Sequence, residues 1–225
     1  MGSQDYREQL PSNKRAELII QFVRVPSQGE FAEVEEGSIA LFDTDSRPGV
    51  VTSTIGSPIG WDRAITTSYL MSIEEIDELN GRFIFDVNVA RIAIEKRCKK
   101  IQTLCWIILE TVEGFEGEVR FVINHYIKSK KGKKLEVVEI LRKWRTVMSG
   151  SKPLMSIALG SDDNEFIHIA QPVKSFDEIA KFVSGSMYQN PVNIPYINGL
   201  RDLTEVTYRV ISRIVAFRAS KTAIM

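Results

Sequence analysis

Three basic clusters hold most of the chemistry that can be read from this sequence. Lys128, Lys130, Lys131, Lys133 and Lys134 crowd into KSKKGKK, Lys96, Arg97, Lys99 and Lys100 form a second run, and Arg142, Lys143 and Arg145 flank Trp144. Cations at that density neutralise phosphates of RNA or of an anionic membrane, and Trp144 or Tyr126 can stack or insert. A plainer reading competes, because a lysine-rich loop tip also guards a sheet edge against aggregation. Lys plus Arg equals Asp plus Glu at 29 each, so net charge points to no partner. The clusters therefore imply acidic surface elsewhere, visible at 30–36 and 74–78. One molecule's acidic segment can meet another's basic loop, which predicts a homo-oligomer.

Carboxylates supply a second constellation. IALFDTDSR reads as an apolar strand delivering Asp43 and Asp45 to one side of its end, and SIALGSDDNEF places Asp162 and Asp163 after another apolar strand. The first spacing resembles the opening motif of the haloacid-dehalogenase-like phosphatases. That resemblance implies a magnesium-dependent phosphohydrolase in which Asp43 attacks phosphorus, Asp45 serves as acid and base, and Asp162 and Asp163 join them around the metal. It covers only these short stretches and departs from the family in two ways. The family's doubly wound parallel sheet needs helices between its strands, and Lys152 lies too close to Asp162 for one. GVVTSTIGSPIG lacks the Lys-Ser/Thr ending of a phosphate-cradling loop and reads as flexible.

The remaining candidates are weaker. Cys98 and Cys105, seven apart on what reads as a helix, are too far apart for a disulfide and read as reduced, buried thiols. His125 and His168 fall in no zinc-ligand spacing, and His125, on an apolar strand face, reads as a core or interface residue. No cofactor is implied. The polar start, residues 1–17, reads as a flexible arm, with Tyr6 where a myristoylation signal prefers Ser or Thr. No stretch has the form of a signal peptide or a membrane span, so a cytoplasmic protein, at most peripheral at a membrane, is expected.

The elements that must position these residues follow from periodicity. LIIQFVRV and SIALF read as strands, 44–61 as loop with a short strand at 50–54, and SIEEIDEL as a short acidic helix capped by Ser72. Alternation at 83–89 gives a strand that runs into a long central helix through Ile92, Ile101, Leu104, Cys105, Ile108, Leu109 and Val112. Residues 118–128 read as a strand. The segment 135–148 fits helix or hairpin, with a strand favoured for its first half. A hairpin of 154–159 and 165–170 follows, then a helix after the Ser175 and Glu178 capping box, an irregular 187–199, and a final helix over 203–220. No internal repeat is apparent. The composition, 44% hydrophobic and 26% charged, suits one α+β domain over 18–225: a mostly antiparallel meander around the central helix, with C-terminal helices.

That layout resembles the small matrix proteins of negative-strand RNA viruses, on the strand-to-helix unit at 83–112 and the basic loop at 128–134. Plant-virus movement proteins, β-rich and nucleic-acid binding, are similar through SIALFD and the same unit. The resemblance implies a non-enzymatic, self-associating structural protein that contacts RNA or membrane and has no small-molecule substrate.

Overall fold

The computed structural model describes residues 17–56, 63–78, 89–159, 165–185 and 189–218. Eight strands close into a barrel in the order β1-β3-β2-β8-β5-β7-β6-β4, and every ladder is antiparallel. The first half of the chain runs β1 (Glu17–Pro26), α1 (Phe31–Asp43), β2 (Gly49–Gly56), β3 (Ile65–Ser72), α2 (Ile73–Glu78), α3 (Val89–Glu95) and β4 (Cys98–Glu110). The second runs β5 (Phe121–Ser129), α4 (Lys134–Val147), β6 (Leu154–Ala158), β7 (Phe166–Val173), α5 (Phe176–Val183), α6 (Ile194–Leu203) and β8 (Thr204–Arg218).

The two halves repeat one plan, because β4-β1-β3-β2 in the first answers β8-β5-β7-β6 in the second. Each is a split βαββαβ unit, and the pairs β2–β8 and β4–β6 sew them together. The repeat that the sequence hides is plain in the turns. Gly29 and Gly132, 103 residues apart, both take positive φ. Each is followed by the same bonds, Glu30 N to Ser27 O with Val34 N to Glu30 O, and Lys133 N to Lys130 O with Val137 N to Lys133 O. The helix pairs also match with sizes exchanged. A Cβ on Gly37 of α1 would lie 2.8 Å from Ile94 of α3, while one on Gly199 of α6 would lie 3.1 Å from Ile140 of α4.

Strand alternation sorts side chains into the barrel or under the helices. Val23, Val25, Trp106, Tyr126, Ala158 and Val210 meet inside. The interior also holds polar pairs: Trp106 Nε1 donates to Gln21 Oε1 at 2.8 Å, and His168 lies between Ser156 Oγ at 3.2 Å and Asn124 Oδ1 at 3.0 Å. Outside, Ile20, Phe22, Ile65 and Met71 pack under α1 and α3, and Ile127, Met155, Ile157 and Ile167 under α4.

This architecture corrects the expected meander with a central helix. The stripe assigned to that helix is α3 followed by β4, in which Leu104 and Trp106 enter the barrel while Ile107 and Leu109 face a helix-covered core. Burial on both faces produces a continuous apolar run that imitates a helix stripe. The 203–220 helix is β8, where Val206, Val210 and Ile214, four apart, share one face of a strand as they would of a helix. SIALF lies within α1, where Val34, Ser38 and Phe42 share the buried face at helical spacing. The segment 135–148 is all α4, and 194–203 is α6 rather than irregular chain. Residues 65–72, unassigned from the sequence, form β3. The strand expected at 83–89 lies largely outside the described residues, and Val89 opens α3. The 154–158 and 166–173 strands do pair as expected, and Ser72 and Ser175 cap their helices by accepting from Glu75 N and Glu178 N.

Candidate functional site

The two halves differ in what lies between sheet and helices. In the first half, Phe22, Phe42 and Tyr69 fill that space, with ring centroids 6.3 Å apart for Phe22 and Tyr69 and 5.7 Å for Phe42 and Tyr69. In the second half the matching space is a cavity of about 320 Å³. By the 103-residue offset of the turns, His125 occupies the place of Phe22, and Arg145 that of Phe42. The duplicated scaffold is filled on one side and hollow on the other.

Seven elements supply the floor and roof. The outward faces of β5 to β8 contribute His125, Ile127, Met155, Ile169, Gln171 and Thr207. These share a face because His125 pairs with Ile169 across one ladder and with Arg209 across the other. Leu141, Trp144, Arg145 and Met148 of the α4 segment form one wall. Ile197, Leu200, Arg201 and Thr204, spaced as one helix face, form another, and Phe182 of α5 closes a side. Trp144 is fixed by donating to Asn193 Oδ1 at 2.8 Å and by stacking on Tyr196 at 3°.

Arg145 is a structural clamp. Its Nε donates to Pro153 O at 3.2 Å, Nη1 to Glu113 Oε1 at 3.1 Å, and Nη2 to Thr111 O. Lys152 Nζ reaches Glu113 Oε2 at 3.2 Å, and together these two cations hold the Glu113 carboxyl below its usual range. The clamp ties α4 to the connections leaving β4 and entering β6. Gln171 Nε2 is likewise engaged, donating to Ser151 Oγ at 2.8 Å.

His125 is different. Its Nε2 is buried and has no hydrogen-bond partner. Burial, followed by the nearby Arg209 guanidinium, depresses its pKa to about 4. At neutral pH the ring is uncharged, 5.5 Å from the Phe182 ring. Buried polar nitrogens ordinarily find partners, so an unpaired imidazole on an apolar floor is a group kept available for a ligand.

No protein-family model and no curated protein matches this chain. Solved structures do match in fold. An anthrone oxidase-like protein superposes with TM-score 0.67 at 9% identity, covering 95% of this chain and 98% of its own. A protein from Fusobacterium nucleatum assigned as a monooxygenase gives 0.63 at 9% identity, covering 91% and 94%. Another so assigned, from Lactobacillus acidophilus, gives 0.57 at 11%, covering 89% and 93%. At these identities the likeness establishes the fold.

It overturns the matrix-protein and movement-protein resemblances, and with them the expectation of a non-enzymatic assembly protein that contacts RNA or membrane. The strand-to-helix unit on which both resemblances rested is not the observed architecture, and nearly the whole chain follows a fold found in proteins described as enzymes. The phosphohydrolase alternative loses its footing too. The sheet is antiparallel, and Asp43 ends a helix, 3.8 Å from Arg218. Asp45 accepts from Arg47 N at 2.9 Å and Nη1 at 2.8 Å, while Asp162 and Asp163 lie outside the described residues.

The basic residues are spread over the molecule. Lys128 pairs with Glu205 at 3.2 Å, Lys133 with Glu136 at 2.6 Å, and Lys130 donates to Asp202 O at 2.6 Å. Lys131 is exposed and Lys134 buried. Arg97 pairs with Glu30, Arg142 with Glu110 at 3.0 Å, and Lys96, Lys99, Lys100 and Lys143 are exposed. Tyr126 is inside the barrel and cannot stack on an external base, whereas Trp144 and Arg145 belong to the cavity wall. Cys98 and Cys105 stand on a strand rather than a helix, and burial raises both thiol pKa values. No described helix is long and apolar enough to cross a membrane.

His125 is what the sequence reading undervalued. The alternation that placed it on the face of Ile123 and Ile127 was correct, but a pocket floor and a core have the same pattern along a strand. The roof comes from α4 and α6, distant in sequence and misread.

Proposed function

We propose that this chain is an enzyme of oxygenase type. It binds a small, flat aromatic molecule bearing an acidic C–H or O–H in the second-half cavity, and His125 accepts that proton. The observation that carries this reading is the buried, unpartnered Nε2 of His125 on an apolar floor; the substrate anion formed beside it restores the basicity that burial lowers. The shared fold with proteins described as monooxygenases and as anthrone oxidase-like supports it.

The chemistry balances with substrate and dioxygen alone. A benzylic methylene beside a carbonyl loses a proton to Nε2, leaving a resonance-stabilised carbanion within the apolar walls. Oxidation of that methylene to a carbonyl gives four electrons to dioxygen, one oxygen ending in the new carbonyl and the other in water. The protein's tasks are to orient the ring, hold the proton at Nε2 and exclude bulk water. A general base in this role contributes about 10²–10⁴-fold.

Oxygen uptake with anthrone as probe tests the reading. His125→Phe should lower the rate by about a hundredfold or more while leaving the fold intact. An unchanged rate would exclude His125 as the base.

The same nitrogen supports a second reading. A neutral imidazole opposite apolar walls suits an iron porphyrin, for which His125 would be the metal ligand; the group would supply redox chemistry at its iron. Titration with haemin distinguishes the two: a shifted Soret band that disappears in His125→Phe selects the porphyrin. Self-association, expected from the segregated charge, is carried into the proposal and is read by sedimentation velocity.

A further inference from the structure

We propose that the second-half cavity takes its ligand as an anion, a flat aromatic hydroxyl compound that ionises on binding, with Arg201 as the residue that holds the charge. This rests on the cavity being the ligand site.

The lining is apolar apart from a few groups, and its charges have one sign. It includes two guanidiniums, Arg145 and Arg201, and no Asp or Glu. From α4 comes Arg145, whose charge is already met by Glu113 and two backbone carbonyls. From β5 comes neutral His125, and from β8 comes Thr207, with Arg209 paired opposite His125 and lying over Phe182 at 5.5 Å. β6 and β7 bring Met155, Ile169 and the amide of Gln171, and α5 brings Phe182. From α6 comes Arg201, which follows Leu200 on the cavity lining and is itself exposed to solvent. Among the described residues it has no ion pair or hydrogen bond. Glu113, bonded to the lining residue Arg145, is also held by Lys152.

A cleft with one sign of charge and low-dielectric walls concentrates counter-ions and favours the ionised form of an acid placed in it. Because Arg201 is exposed, its guanidinium acts partly through water, and the effect on a ligand held against the apolar walls is modest. An arginine needed only for solubility would as readily sit on the outer face of α6.

Two naphthalene probes separate this inference from the cavity reading. 4-Nitro-1-naphthol absorbs in the visible once ionised, and 1-methoxy-4-nitronaphthalene has nearly its shape without an acidic proton. Each is titrated into the full chain and into Arg201→Gln, with Ile169→Trp as the variant that fills the cavity. The methoxy compound should bind wild type and Arg201→Gln equally and Ile169→Trp not at all. The bound naphthol should show an apparent pKa about one unit below its free value, a tenfold preference for the anion, and Arg201→Gln should erase most of that shift. If the methoxy compound binds but the naphthol pKa is unmoved, or moves equally in Arg201→Gln, the anion inference is overturned and the cavity reading stands. If the methoxy compound does not bind, or still binds Ile169→Trp, both are overturned.

Discussion

Mild acid should loosen this protein through two histidines. His125 sits under the helices with a pKa of about 4, and His168 sits inside the barrel with a pKa of about 3. Burial is the main cause for both, and the cost of a charge falls on the folded state alone. In the unfolded chain both return to about 6.5. Between pH 6.5 and 4 the unfolded state therefore binds more protons, and stability falls as pH falls. pH 5 lies about 1.5 units below the unfolded value, a loss of about 2 kcal/mol apiece and about 4 kcal/mol together. Few carboxylates titrate that high, so the window isolates the histidines. Urea midpoints from pH 7.5 to 5 measure the loss, and ring-proton NMR titrations assign it. His125→Phe should remove about half of the slope. Midpoints level from pH 7 to 5, or either ring titrating near its free value, would refute the account of buried neutral imidazoles.

Three further perturbations probe the scaffold. Gly49→Ala should cost about 3 kcal/mol or more, because a Cβ there would meet Ser68 O at 2.3 Å in the β2–β3 ladder; normal thermal unfolding of the variant would contradict that packing. Arg145→Ala should cost about 2 kcal/mol by leaving the carbonyls of Thr111 and Pro153 unmet, and hydrogen exchange should rise first in the connections around them. Ser175→Ala removes the cap of α5 and should cost about 1 kcal/mol, a drop in Tm of about 2–4 °C.

β1, β5 and the β6–β7 hairpin could be read from the sequence, as could the capped starts of α2 and α5, because their patterns depend on neighbours in sequence. β4 and β8 could not, since apolar residues three and four apart, such as Ile101, Leu104, Cys105 and Ile108 or Val206, Val210 and Ile214, suit a helix stripe as well as they suit these strands. α1 and α4 carry Ile, Val and Leu in runs that suit a strand, and tertiary packing decides in favour of helix. The repeat was invisible because equivalent positions exchange chemistry: Phe22 for His125, Phe42 for Arg145, Gly37 for Ile140. That exchange is also why the site was only partly legible. His125 was placed on the right face, but a cavity is defined by what a roof lacks, and no spacing along one strand reports that.

Barrel closure has a consequence for how the chain folds. Each half can complete its four-stranded sheet from contiguous chain, leaving β4 and β2 as edges of one and β8 and β6 as edges of the other. The β4–β6 seam joins Ile107 to Ile157, a short excursion, whereas the β2–β8 seam joins Thr54 to Ser212 across 158 residues. For an unfolded chain the longer loop costs about 1 kcal/mol more to close. β2–β8 is thus the seam expected to zip last, and the species awaiting it carries two unpaired strand edges that invite intermolecular pairing. Refolding yield should then depend on protein concentration until that seam forms, and the finished barrel, with no edge left, should not.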